Sequence, residues 1–308
     1  METKTPPQNG QTDVYALVTN KIIEQLEKGT VPWRKPWSEG GLPRNLFSKK
    51  YYRGINTILL SMLGYEQNLF LTFKQVKEIG GKVKQGETGH QVVYWNVKDS
   101  PSEEVPEDGM EPKTKRTAIL RYYTVFNVSQ CENIPNGYLP AVATKIIGSI
   151  ESCEHVIANM PKCPPIRHKE QRAYYNPLMD FINMPKKNTF GTAEGYYLTL
   201  FHELMHSTGH HSRLARPGLI EMAEFGSDAY SLEELVAEIG SCFLQSFTGI
   251  VEEFEQSSAY IDGWLKRLKG DKKFIYSAAT LAQHGTDFIL NISHESVANK
   301  ATSQDPNI

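Results

Sequence analysis

The segment YLTLFHELMH, residues 197–206, decides how the chain is read. His202 and His206 stand four apart, so a helix puts both imidazoles on one face, within reach of a single ion. Neutral imidazole suits zinc, and a tetrahedral ion held by three side chains keeps one position open for water. Glu203, beside the first imidazole, is placed to take a proton from that water as general base. The flanking Tyr196, Tyr197, Leu198, Leu200, Phe201, Leu204 and Met205 are apolar, which predicts a helix inside a core rather than a surface helix. In such a place two imidazoles and a carboxylate are costly unless they pair or bind metal. The chemistry implied is metal-assisted peptide hydrolysis.

Two schemes supply a third ligand. In the first, HExxHxxG continues to Gly209, but the histidine expected three residues later is replaced by Ser212, with His210 and His211 as near misses. In the second, SLEELVAEIG (231–240) puts Glu234 and Glu238 four apart on one helix face. There Glu234 binds the ion, and Glu238 accepts a hydrogen bond from a ligand imidazole. The second, gluzincin-like scheme is favoured, and Glu233 competes with Glu234 for the ligand role. Leu235, Val236, Ile239 and Phe243, with the small Ala237 and Gly240, fit this helix for close packing against the first. His210, His211 and Arg213 follow the first helix, either to stabilise an oxyanion or to cap it. The strand expected at 181–184, with Tyr174 and Tyr175 before it, is a candidate edge for extended substrate or simply core.

The 308 residues are 40% apolar and 22% charged, which excludes collagen, coiled coil and wholesale disorder and predicts two domains or one large one. Charge is divided unevenly. Residues 1–130 carry 18 Lys and Arg against 14 Asp and Glu, six of those acids lying in one Pro-rich stretch, whereas the remainder carries 15 against 21. A basic half followed by an acidic half predicts two tasks and a polyanionic partner for the first. In the basic half, aromatic and cationic residues interleave: Trp33, Arg34, Lys35 and Trp37, then Lys49, Lys50, Tyr51, Tyr52 and Arg53, then Lys74, then Arg121 and Tyr122. Cations that track phosphates and rings that stack on unpaired bases are what single-stranded nucleic acid requires, although such aromatics more often fill cores. The four dispersed cysteines form no CxxC pair, no secretory h-region opens the chain, and no run of about 18 apolar residues exists. A cytoplasmic protein without a membrane span is expected.

The fold class expected is α+β: a small N-terminal α+β DNA-binding domain and a C-terminal zincin-like domain. Residues 1–11 read as a disordered lead, 12–130 as the DNA-binding domain, 131–143 as a linker, 144–290 as the metallopeptidase-like domain and 291–308 as a tail. Helices are expected over 12–28, 56–63, 72–79, 144–159, 192–208, 231–247, 257–269 and 272–285, with strands over 91–97, 118–128, 166–168, 172–175 and 181–184. An acidic, flexible insertion of about 99–115 separates the first two strands.

The stretches EKGTVPWRKPW, YYRGIN, TFKQVKEIGGKVKQGETG and YYTVFNVSQ resemble the N-terminal domain of ArdC-type antirestriction proteins. AYYNPLMDFINMP, LFHELMHSTGHHSRL and SLEELVAEIG resemble the zincin-like domain that follows it there, and the resemblance runs over about residues 12–290. It implies a single-stranded-DNA-binding domain fused to a metallopeptidase-like domain, in a protein of conjugative plasmids and related mobile elements that protects incoming DNA from restriction. Two alternatives stay open: a non-catalytic DNA-binding protein with a structural zinc site that acts by occupying DNA or a restriction-enzyme subunit, and a zincin protease with a regulatory N-domain and a peptide substrate.

Overall fold

The structure, a computed structural model, describes residues 13–34, 41–101, 114–139, 150–220, 228–251 and 258–292. The first helix, α1 (Val14–Glu27), begins where the Asp13 carboxylate accepts the Ala16 N–H at 3.2 Å. Its Val14, Val18, Ile22 and Leu26 recur every four residues and are all buried. The chain ends the helix at Gly29, whose φ of +73° lies in the left-handed region that glycine adopts most readily.

β1 (Arg44–Asn45), α2 (Ile55–Ser61), β2 (Leu69–Thr72), α3 (Phe73–Glu78), β3 (Lys82–Val83), β4 (His90–Pro101), β5 (Thr114–Asn127) and β6 (Cys131–Glu132) complete the first half. A four-stranded sheet runs β1-β2-β5-β4, with β1 parallel to β2 and the other neighbours antiparallel. Thr72 and Gln75 cap α3 reciprocally. The Asn56 amide pairs with both the N–H and the C=O of Val93, at 2.8 and 2.7 Å, and so covers part of the open edge of β4. The ladder of β4 and β5 extends beyond the expected strands to pair Pro101 with Thr114, and residues 102–113 of the expected acidic insertion lie outside the described residues. β6, at the start of the expected linker, pairs with β3, so these residues belong structurally to the first half.

The second half contains α4 (Ile150–Asn159), β7 (Ile166–Arg167), β8 (Tyr174–Asn176), β9 (Phe181–Asn183), α5 (Ala193–Thr208), α6 (Pro217–Ile220), α7 (Asp228–Thr248), α8 (Ser258–Gly270) and α9 (Phe274–Ile289). β9 lies between parallel β7 and antiparallel β8, leaving β8 as an edge strand. α5, α7 and α9 approach closely around Met205: a Cβ on Gly240 or Gly285 would lie 2.2 or 2.4 Å from its Cε. Gly240 therefore does serve close packing, as the composition of its helix suggests.

One apolar cluster joins the two halves. It runs from Val14, Ile22, Trp33, Ile58 and Val93 into Phe201, Leu235, Phe243, Trp264 and Ile275. Trp33 is fully buried and meets Trp264 edge-on at 5.1 Å. Among the described residues no helix is long and apolar enough to cross a membrane.

Candidate metal centre

α5 buries Phe201, Leu204 and Met205 in the core it shares with α7 and α9, and holds the partly buried His202 and His206 beside carboxylates of α7. Their Nε2 atoms face each other at 3.1 Å. From α7, one oxygen of Glu234 lies 3.7 Å from His202 Nε2 and the other 3.6 Å from His206 Nε2. Tetrahedral zinc with nitrogen and oxygen ligands at about 2.0–2.2 Å sets those ligand atoms about 3.3 Å apart, so this triangle fits such an ion. The three groups are between 12% and 18% exposed, so the centre is reachable from solvent without being open to it.

The carboxylates divide their work differently from the expected pattern. Glu233, not Glu238, meets a candidate ligand imidazole, with Oε1 accepting from His206 Nδ1 at 3.3 Å. Glu238 instead receives Arg34, whose Nε and Nη2 donate to its two oxygens at 3.0 and 2.5 Å. Successive residues on α7 point about 100° apart, so Glu233 and Glu234 address different sides of His206. Glu203 is buried, and among the described residues no hydrogen bond engages its carboxylate.

Burial opposes a charge on His206, but the Glu233 hydrogen bond and the charges of Glu234, Glu233 and Glu203 outweigh it and raise its pKa to about 9. Burial likewise opposes ionisation of Glu234, yet the bond to His202 and the charge of His206 bring it down to about 2, helped by the Tyr230 hydroxyl. In the metal-free chain the stabilisation from His206 is full below pH 6.5 and is lost as pH rises through about 9. Urea midpoints of chelator-treated protein are therefore expected to fall between pH 6.5 and 9. A flat profile there contradicts a charged His206.

The other candidate residues spread widely. Arg213 is pinned to Asp180, to the Tyr175 hydroxyl at 3.1 Å and to the Ser207 carbonyl at 2.7 Å, so it is spent on the loop and not free for an oxyanion. His210 bonds Ser212 at 2.8 Å. The strand at 181–183, expected as a candidate edge, is instead the buried centre of its sheet, and β8, which carries Tyr174 and the buried Tyr175, is the edge strand that lies against α5.

Of the residues proposed for DNA, Trp33 is core and Arg34 is paired with Glu238; neither can meet a base or phosphate without unpacking. Lys35 and Trp37 lie outside the described residues. Tyr52 packs beside Phe70 at 6.2 Å, and Arg53 pairs with Asp287 of α9. Lys49 donates to the Tyr138 carbonyl at 3.3 Å. Lys50, Lys74 and Tyr51 stay exposed. Arg121 and Tyr122 are exposed on opposite faces of β5, as neighbours in a strand must be, opposite Tyr94 and Val93 respectively. Trp95, 52% exposed on the Tyr122 face, was hidden in a segment read only for its strand character.

Residues 12–126 match the family model of the N-terminal domain of anti-restriction factor ArdC, and residues 151–281 match that of the zincin-like metallopeptidases. A DNA primase TraC of Escherichia coli is 35% identical over 94% of this chain, which spans 28% of that protein; a second is 34% identical, and the chain spans 20% of it. The uncharacterized protein y4eC of Sinorhizobium fredii (strain NBRC 101917 / NGR234) is 34% identical, with 94% of this chain covering 95% of it. The crystal structure of the antirestriction ArdC protein from the R388 plasmid, metal-free, is 38% identical at a TM-score of 0.73, covering 90% of this chain and 96% of that one. Its Mn(II)-bound form matches at a TM-score of 0.70, over 91% of this chain and 97% of that one.

Proposed function

Because this chain belongs to the ArdC antirestriction family and carries that family's zincin-like domain, we propose that it is an antirestriction protein of a mobile genetic element that binds single-stranded DNA and hydrolyses peptide bonds at a zinc centre. The convergence of His202, His206 and Glu234 on one point carries the enzymatic half. Zinc held by these three would polarise a peptide carbonyl and make water at the open position more acidic. Glu203 takes the proton of the attacking water and returns it to the leaving amine. Edge strand β8 offers backbone groups to an extended peptide.

The DNA half draws support from the basic N-terminal composition, from exposed Lys50, Tyr51, Lys74, Arg121 and Tyr122, and from relatives named for DNA primase and antirestriction activities. The four unbridged cysteines suit a reducing cytoplasm. A second reading, zinc as a purely structural element beneath a DNA-binding surface, is favoured by α5 and α7 lying in the core that joins both halves.

Metal analysis paired with strand binding tests the proposal. About one zinc per chain is expected in the wild type, with loss in His202→Ala and in Glu234→Ala. Full retention in Glu234→Ala removes it as a ligand. Oligonucleotide affinity should fall steeply with added salt, and a flat response removes the phosphate contacts.

A further inference from the structure

We propose that Arg216 is a positioning residue for the metal centre, acting through Glu233 to fix the orientation and tautomer of His206. This rests on the metal reading of the preceding section. Glu233 and Arg216 are 7% and 4% exposed, so the carboxylate needs a partner that satisfies both oxygens. Arg216 provides it as a fork: Nε donates to Oε2 at 2.8 Å and Nη2 to Oε1 at 2.5 Å. The remaining donors fasten the guanidinium to α5 itself, Nη1 to Thr208 Oγ1 at 2.6 Å and Nη2 to the Met205 carbonyl at 2.8 Å. Carboxylate and imidazole are therefore referred to the same helix.

The consequence falls on His206. A carboxylate at Nδ1 makes that nitrogen the N–H, which leaves the Nε2 lone pair facing His202 and Glu234. Rotation of Glu233 would release the ring.

Two features of the connecting loop serve this placement. Gly209 has an ordinary φ of −76°, so its backbone does not require glycine. A Cβ there would instead lie 2.9 Å from Arg216 Nη2 and 3.0 Å from Cζ. The glycine of HSTG thus makes room for the guanidinium. Ala215, at φ +51°, turns the chain through the left-handed region just before Arg216 and donates to the His210 carbonyl at 3.0 Å.

The test measures zinc dissociation constants of the full chain by chelator competition, together with the ring nitrogen shifts of His206 in the zinc-loaded protein. The wild type should show a protonated Nδ1 and a coordinated Nε2. Arg216→Gln should weaken zinc binding by about 10–100-fold, Arg216→Lys by less, and Gly209→Ala should weaken it while leaving every ligand and Glu233 in place. Unchanged affinity in folded Arg216→Gln overturns the proposal, and so does an unprotonated Nδ1 in the wild type. Should Arg216→Gln not fold, the wild-type ring shifts and Gly209→Ala still decide it. A wild-type chain with no affinity for zinc overturns the metal reading and this proposal with it, whereas tight binding in all variants overturns this one alone.

Discussion

Glu203→Gln is expected to keep its zinc and to lose about 10²–10⁴-fold in peptide hydrolysis, the usual contribution of a positioned general base. The residue lies one position after the proposed ligand His202, is 8% exposed, and spends its carboxylate on no hydrogen bond among the described residues. A buried carboxylate without such a partner is costly, so a purely structural role would leave it unexplained. Glutamine keeps the volume and the carbonyl oxygen but cannot accept a proton, which separates chemistry from packing. The comparison is kcat on a peptide library, at equal zinc content, for wild type and variant. Zinc-replete Glu203→Gln that cleaves as fast as the wild type sinks the general-base role. Antirestriction in cells that survives this variant unchanged assigns that activity to the DNA-binding half alone.

The convergence of His202 and His206 was legible in the sequence because a four-residue spacing has a single meaning on a helix, and their apolar flanks made that helix nearly unavoidable. Glu234 was legible as a candidate for the same reason. The partner of His206 was not, because Glu233, Glu234 and Glu238 sit on one helix and only its rotation decides which of them meets the Nδ1 side. Arg216 gave no signal, since its role depends on a loop that folds back over the end of α5. β2, LFLT, has all four residues buried and so lacks alternation, while β1 and β3 are two-residue pairings fixed by partners distant in sequence. The aromatic and basic runs misled in a specific way. Composition records that Trp33 and Arg34 stand together, but whether a tryptophan stacks on a base or packs edge-on against Trp264 depends on α8, which lies more than two hundred residues away in the chain.

That distinction gives the second large effect. Trp33→Ala is expected to destabilise the protein by about 3–5 kcal/mol, because the side chain is fully buried where both halves share a core and its removal leaves a cavity. Arg34→Ala should cost a similar amount, about 3–5 kcal/mol, by leaving Glu238 buried without its partner beside the metal helix. Exposed rings should behave in the opposite way. Tyr51→Ala and Trp95→Ala touch residues 56% and 52% exposed, so the urea midpoint should scarcely move. If those rings stack on bases, each loss should weaken oligonucleotide binding by about 1–3 kcal/mol. Urea unfolding and fluorescence anisotropy on the same four variants separate the two classes. A Trp33→Ala protein as stable as the wild type but defective in strand binding would return that residue to the DNA surface and remove it from the core shared by the two halves. If instead Trp33→Ala unfolds early while its folded fraction still grips DNA, the aromatic-basic loop is a clasp between the halves, and strand recognition belongs to the surface around β4 and β5.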